Sequence, residues 1–170
     1  MTGSYTYTYE DIQNRPVAVI GAGTLGRRIA LMFASRGGTV RIHARRPEQL
    51  AAATQYVTET LPKVLADRGF GEAGGATAAG SLEEALDDAW LVVESVPEKL
   101  DIKIETWGRI DQAAPPDTIF ATNSSSYPSR LMAEKVRDKR RLRALVRRYT
   151  TKIGRPLSWA DNTASARAAP

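Results

Sequence analysis

The chain has 170 residues, a formal net charge of +5 and a hydrophobic content of 42%, which suits one α/β domain with a buried core. It has no cysteine and one histidine, so disulfides, thiolate chemistry and a histidine-based metal centre are excluded and no metal site is predicted. No apolar run has the length of a membrane span and the N-terminus lacks a secretion-signal pattern, so we predict no membrane association and a cytoplasmic location.

The first half of the sequence alternates between strand and helix patterns. Residues 1–15 are polar and predict a flexible leader. An apolar run, Val17 to Ile20, then predicts a buried strand, and a helical pattern follows it up to Gly37. Thr39 to His43 predicts a second strand, and Pro47 begins a long helix. This β-α-β-α order implies a parallel sheet.

The second half continues the alternation. The predicted elements are a short strand at Ala76–Ala79, a helix with a Ser81/Glu84 capping box that ends near Ala89, a strand at Trp90–Val93, a helix from Pro97 to Pro115, a strand at Thr118–Thr122 and a helix from Pro128 to Val136. We therefore predict that residues 16–138 form a Rossmann-type parallel sheet with helices on both faces.

The basic charge is concentrated in the last quarter of the chain. Residues 1–127 contain 12 basic and 16 acidic residues, whereas residues 128–170 contain 12 and 3. For residues 139–170 we expect a basic, partly disordered tail with some helix as far as Arg148. The alternative is that a frameshift or mis-splicing has replaced an original strand and helical domain, which would also give such a basic sequence. Nucleic-acid binding is disfavoured, because only Tyr149 and Trp159 offer rings for base stacking.

A glycine motif follows the first strand and opens the first long helix. Gly21, Gly23 and Gly26 have the GxGxxG spacing, with Thr24 and Leu25 between the last two. In this context the first glycine permits a tight turn, the second a close approach of a pyrophosphate, and the third close helix–strand packing. The pattern predicts a dinucleotide site, and a plain tight turn is the alternative.

The end of the second strand bears on which cofactor binds. A carboxylate about 20 residues after the glycine motif typically binds the ribose 2′-hydroxyl of NAD, but Ala44 is followed here by Arg45 and Arg46. Two guanidinium groups suit a 2′-phosphate. The sequence thus favours NADP over NAD, unless both arginines are simply solvated.

Three segments together resemble the N-terminal NAD(P)-binding domain of the 3-hydroxyacyl-CoA dehydrogenase family. They are Val17 to Gly26, Val92 to Lys103, and Ile119 to Ser126, in the family's order and approximate spacing. The resemblance extends over roughly residues 15–138. It implies an NAD(P)(H)-dependent oxidoreductase that interconverts 3-hydroxyacyl and 3-oxoacyl groups. The small size leaves a specialised biosynthetic pathway open as an alternative to fatty-acid breakdown.

The resemblance also implies roles for individual residues. Glu98 and Lys103 match family positions near the nicotinamide-side ribose, and Asn123 matches an asparagine that contacts the cofactor. Ser125 matches the serine that touches the substrate hydroxyl and the nicotinamide, and it is the candidate catalytic residue. From the residues alone, capping of the helix at Pro128 is the competing explanation of the serine run.

The sequence departs from the family in its catalytic half. No histidine follows Ser126 in this sequence, so the family's histidine base and its glutamate partner are not found, and we expect the family's helical C-terminal domain to be missing. The remaining candidates for a proton acceptor are Glu94, Glu98 and Lys103. The chain is thus identified as a truncated member, and the alternative function is a catalytically inactive dinucleotide-binding accessory protein. The expected partners are the nucleotide, an acyl-CoA or other acyl-thioester substrate, and a second copy or partner subunit covering exposed apolar surface.

Overall fold

The computed structural model describes residues 8–144, which form a six-stranded parallel sheet with helices on both faces. The strands lie in the order β3-β2-β1-β4-β5-β6, which is the Rossmann order and confirms the predicted fold. Their bounds are β1 Val17–Ile20, β2 Thr39–His43, β3 Gly75–Ala78, β4 Leu91–Glu94, β5 Ile119–Thr122 and β6 Leu142–Ala144.

Apart from the first helix, which precedes β1, the helices connect consecutive strands. Their bounds are α1 Tyr9–Ile12, α2 Thr24–Ala34, α3 Pro47–Arg68, α4 Leu82–Leu86, α5 Leu100–Ala113 and α6 Ser129–Met132, with 3₁₀ turns at Ala133–Lys135 and Lys139–Arg141. Among residues 8–144, no helix is both long and apolar enough to cross a bilayer.

The core is divided by the sheet into two layers, because alternate residues of each strand face opposite sides. Val17 and Val19 of β1 pack with α2 and α3 on one side. Ala18 and Ile20 pack with α4, α5 and α6 on the other side. Strand order reverses between β1 and β4, where a crevice opens at the carboxyl ends of the strands.

Three predicted helices differ from those observed. The helix expected to end near Ala89 ends at Leu86. The helix expected at Pro97 begins at Leu100, because residues 95–99 form the loop that leads away from β4. The helix expected from Pro128 to Val136 is one short α-helix followed by a 3₁₀ turn. The predicted capping interaction at α4 is present, since the Ser81 hydroxyl accepts a hydrogen bond from the Glu84 amide at 3.0 Å.

The basic segment after residue 138 joins the sheet. We expected partial helix here, but Leu142–Ala144 form β6, and Phe120 of β5 pairs with Leu142. The preceding residue, Arg141, is 7% exposed, so tertiary packing overrides the helical propensity of this arginine-rich segment. The remainder of the predicted tail, residues 145–170, lies outside the described residues.

The predicted leader likewise lies only partly within the described residues. Residues 1–7 are outside them, and residues 9–12 form α1. Arg15 binds Asp117 through two hydrogen bonds, of 2.6 and 3.1 Å. The chain just before β1 is therefore tied to the loop that precedes β5.

Candidate functional site

A cleft of about 1060 Å³ opens at the carboxyl ends of β1, β2, β4 and β5. Its walls are the glycine-rich turn, the end of β2, the loop after β4 with α5, and the start of the serine loop. Eleven residues are predicted from the sequence to be catalytic or to bind the cofactor. Ten of them line the cleft, namely Gly21, Gly23, Thr24, Leu25, Arg45, Arg46, Glu98, Lys103, Asn123 and Ser125. The eleventh, Gly26, is buried behind the turn.

The three glycines of the turn are required for different reasons. Gly21 has φ +113°, and a Cβ there would lie 2.3 Å from the Ser95 carbonyl oxygen. A Cβ on Gly26 would lie 1.8 Å from the carbonyl oxygen of Gly21. At Gly23 a Cβ would meet no described atom within 4 Å. Packing thus explains Gly21 and Gly26, whereas Gly23 leaves backbone open to the cleft.

The N-terminus of α2 faces the same space. Gly23 is its N-cap and provides no side-chain hydrogen bond, and the first turn contains no acidic residue. Free N–H groups and the positive end of the helix dipole are therefore available to an anion. Thr24 and Leu25, both exposed, form the first turn beside the cleft. This end of the site suits a pyrophosphate.

The end of β2 contributes positive charge. Arg45 and Arg46 are exposed and line the cleft. Arg46 Nε lies 3.9 Å from Glu48 Oε1, so this pairing is loose. His43 Nδ1 lies 3.0 Å from the Ala79 carbonyl oxygen, and because a carbonyl oxygen only accepts, Nδ1 donates this hydrogen bond.

At the other end of the cleft, Glu98 holds the loop that follows β5. Its Oε1 accepts hydrogen bonds from the Ser124 hydroxyl and, at 3.1 Å, from the Ser126 amide. Its Oε2 lies 3.1 Å from Lys103 Nζ. Ser125, between the two anchored serines, is exposed and lines the cleft. The helix-capping explanation of the serine run is incomplete, because the α6 N-cap is Pro128 and makes no side-chain cap bond.

These contacts keep Glu98 ionised. Partial burial by itself would raise the pKa of Glu98, but hydrogen bonds from Ser124, Lys103 and the Ser126 amide outweigh it and lower the pKa. A carboxylate with a lowered pKa accepts hydrogen bonds well and is a poor proton acceptor at neutral pH.

Glu94 and Lys103, the other two candidate bases, are buried and paired with each other. Glu94 is fully buried and Lys103 is 1% exposed, with 2.8 Å between Lys103 Nζ and Glu94 Oε1. The second carboxylate oxygen, Oε2, accepts from the Thr122 hydroxyl at 2.7 Å. Sequence reasoning did not include Thr122, although parallel pairing in register places it beside Glu94.

The fold and the cleft together define a class. A parallel sheet in this order, with a glycine-rich turn between β1 and α2, is a dinucleotide-binding domain of the Rossmann class. Residues 16–146 match the sequence profile of the 3-hydroxyacyl-CoA dehydrogenase NAD-binding domain. The chain therefore belongs to the 3-hydroxyacyl-CoA dehydrogenase family and carries its NAD-binding domain.

Individual relatives agree with this assignment. The chain is 35% identical over 136 residues to L-carnitine dehydrogenase from Streptomyces griseus, covering 78% of this chain and 40% of that protein. It is 36% identical over 121 residues to mitochondrial hydroxyacyl-coenzyme A dehydrogenase from Homo sapiens, covering 65% and 38%. A solved diketoreductase structure superposes with a TM-score of 0.68 at 32% identity, covering 76% and 48%. The chain thus spans about two fifths of the length of these sequence relatives.

Proposed function

We propose that the chain binds a nicotinamide dinucleotide in the cleft and forms the cofactor half of an oxidoreductase acting on 3-hydroxyacyl or 3-oxoacyl thioesters. The observation that carries this proposal is Gly23. Its missing side chain is not required by any neighbour in the described chain, whereas a pyrophosphate over the N-terminus of α2 would need that space. The volume of the cleft is also large enough for a dinucleotide.

Our proposal extends to a preference for NADP(H) over NAD(H). Arg45 and Arg46 present two exposed guanidinium groups at the β2 end of the cleft, and Ala44 offers no carboxylate to a ribose diol. Guanidinium groups bind phosphate through charge-assisted, bidentate hydrogen bonds. A 2′-phosphate would therefore gain contacts here that a 2′-hydroxyl would not.

At the other end, Glu98 and Asn123 would contact the nicotinamide-side ribose, and Ser125 would bind the substrate oxygen. When bound, the nicotinamide supplies hydride transfer. Ser125 has an ordinary hydroxyl, and the three other candidates in the described chain are engaged or hold a lowered pKa. Ser125 is thus a hydrogen-bonding group for the substrate. None of Glu94, Glu98 and Lys103 is placed to act as the proton acceptor.

Calorimetric titration with NADPH and NADH tests the cofactor proposal. We expect NADPH to bind more tightly, and the double variant Arg45→Ala/Arg46→Ala to weaken NADPH binding by about tenfold or more, because each charge-assisted hydrogen bond contributes about 1.5–3 kcal/mol. NADH binding should change little. The variant Arg28→Ala/Arg36→Ala removes the same charge from exposed positions that do not line the cleft, and it should behave like the wild type.

Two outcomes would contradict the proposal. Absence of binding of either nucleotide to a folded protein would remove the dinucleotide site. Equal loss of NADPH affinity in both double variants would assign the arginines a general electrostatic effect.

The same cleft would serve a catalytically inactive accessory protein, which would bind nucleotide without turnover. For the active enzyme, a partner subunit is the proposed source of the acid–base group. A cytoplasmic location, in keeping with the absence of cysteine, is part of the proposal.

A further inference from the structure

A closed ring of hydrogen bonds and ion pairs lies beneath the serine loop. The Ser124 amide donates to Thr122 Oγ1 at 3.1 Å, and the Thr122 hydroxyl donates to Glu94 Oε2 at 2.7 Å. Glu94 Oε1 accepts from Lys103 Nζ at 2.8 Å, and this ammonium lies 3.1 Å from Glu98 Oε2. The Ser124 hydroxyl, by donating to Glu98, closes the ring.

Stability alone does not explain the charges in this ring. Glu94 is fully buried and Lys103 is 1% exposed. Taking such a pair out of water is unfavourable before their attraction is counted, and a well-packed apolar pair is often as stable or more so. The pair is fully hydrogen-bonded at Glu94, which also accepts from the Val96 amide at 2.8 Å, so the ring forms a rigid polar network.

The ring ends on the two residues that flank Ser125. Glu98 Oε1 accepts from Ser124 and from the Ser126 amide, and Lys103 is the only cation paired with Glu98 among residues 8–144. We propose that Glu94 is a positioning residue of the cleft. Through Thr122 and Lys103 it fixes Glu98 and the Ser124–Ser126 backbone, and so it sets where Ser125 meets a ligand.

In this arrangement the ammonium of Lys103 neutralises carboxylates of the protein and does not bind a phosphate of the ligand. Its ammonium lies between two carboxylates, one fully buried and one at the cleft surface. The role of Ser125 rests on the proposed function, whereas the mechanical link from Glu94 to Ser126 does not. The two are therefore tested by separate measurements.

Amide hydrogen exchange at Ser126 measures the link without any ligand. Thr122→Val removes the hydroxyl that joins Ser124 to Glu94 and keeps the side-chain shape, whereas Thr122→Ser retains it. We expect Thr122→Val to speed exchange at Ser126 about three- to tenfold, the loss of about one hydrogen bond, although Thr122 does not contact that amide. Thr122→Ser should restore protection.

Thr118→Val is the matched control. Thr118 is also buried, and its hydroxyl donates to the Ala89 carbonyl oxygen at 2.7 Å, at the opposite end of β5. It should cost similar global stability and leave exchange at Ser126 unchanged. Glu94→Gln provides a second variant, with the same expected acceleration at Ser126.

Measuring NADPH affinity in the same variants tests whether the ring affects ligand binding. Thr122→Val should weaken binding about three- to tenfold and Thr118→Val should not. Unchanged exchange at Ser126 in both Thr122→Val and Glu94→Gln would overturn the positioning role. Faster exchange with unchanged affinity would overturn its bearing on the cleft, and a wild type that binds no nucleotide would instead overturn the proposed function.

Discussion

The guanidinium of Arg141 lies over the ring of Phe120, with 4.0 Å between its central carbon and the ring centroid. The same side chain donates to the Thr118 carbonyl oxygen at 3.0 Å and lies 3.5 Å from the carboxylate of Asp111, which is itself 1% exposed. Arg141 thereby docks the segment that leads into β6 against both β5 and α5.

Replacing Arg141 should destabilise the whole domain. Arg141→Ala removes the stacking and one partner of a buried carboxylate, so we expect the free energy of unfolding to fall by about 2–4 kcal/mol. Urea denaturation measures this change. Lys139→Ala, an exposed neighbour in the same 3₁₀ turn, should stay within about 0.5 kcal/mol of the wild type. Equal midpoints for the two variants would contradict the docking.

The glycine turn should separate binding from folding. Gly23→Ala places a methyl group in open space, so we expect wild-type stability and NADPH affinity reduced by about tenfold or more, since a steric clash costs about 1–3 kcal/mol. Gly26→Ala, directed at the Gly21 carbonyl, should lower the melting temperature. Thermal unfolding measures the change in stability, and calorimetry measures the change in NADPH affinity. Full affinity in Gly23→Ala would place the ligand elsewhere.

Cofactor preference should shift when a carboxylate is restored at the end of β2. Ala44→Asp puts an acceptor where a ribose diol is bound in this class of fold and repels a 2′-phosphate. We expect NADH affinity to rise and NADPH affinity to fall, changing their ratio by about tenfold, equivalent to about 1.4 kcal/mol. Ala52→Asp, on the exposed surface of α3, controls for added charge. An unchanged ratio would mean that Ala44 does not face the ribose.

Turnover should depend on an added base. Without a poised proton acceptor in residues 8–144, oxidation of a short 3-hydroxyacyl-CoA should be about 10²–10⁴-fold below typical enzyme rates. Imidazole above its pKa should raise the rate in proportion to its concentration, and KCl of equal ionic strength should not. Full activity in plain buffer would reveal a base in the remaining residues. Cofactor binding with no turnover in imidazole would favour the accessory function.

The Arg15–Asp117 pair should make stability depend on acid pH. The hydrogen bond from the Arg15 side chain is the main cause that lowers the pKa of Asp117 below its ordinary 3.8. Because the folded pKa is below the unfolded one, the pair stabilises the fold above pH 3.8 and loses that effect as the pH falls through the folded pKa.

Asp117→Asn should therefore lower the free energy of unfolding by about 0.5–1 kcal/mol at pH 7, a small value because the pair is partly exposed. The difference from the wild type should shrink below pH 3.8, as followed by urea denaturation from pH 7 to pH 3. Asp67→Asn, at an exposed site on α3, should show no such trend. A difference that is as large at pH 3 as at pH 7 would assign the effect to something other than ionisation.

The sequence by itself determined the features that depend on near neighbours in the chain. Strand and helix periodicity gave β1, β2, β4 and β5 to within one residue, since alternation and apolar runs are local properties. The glycine spacing likewise predicted the turn after β1. The Ser81 cap was also predictable, because its partner is three residues away.

Only the tertiary structure decided the contacts between distant segments. The pairing of Glu94 with Thr122 depends on strand register, and the position of Lys103 between Glu94 and Glu98 depends on how α5 packs on the sheet. Leu142–Ala144 form a strand because their backbone pairs with the edge of β5 and because Arg141 donates a buried hydrogen bond to the Thr118 carbonyl oxygen. Local propensity carries no information on such partners, since their energy comes from burial and hydrogen bonding across the fold.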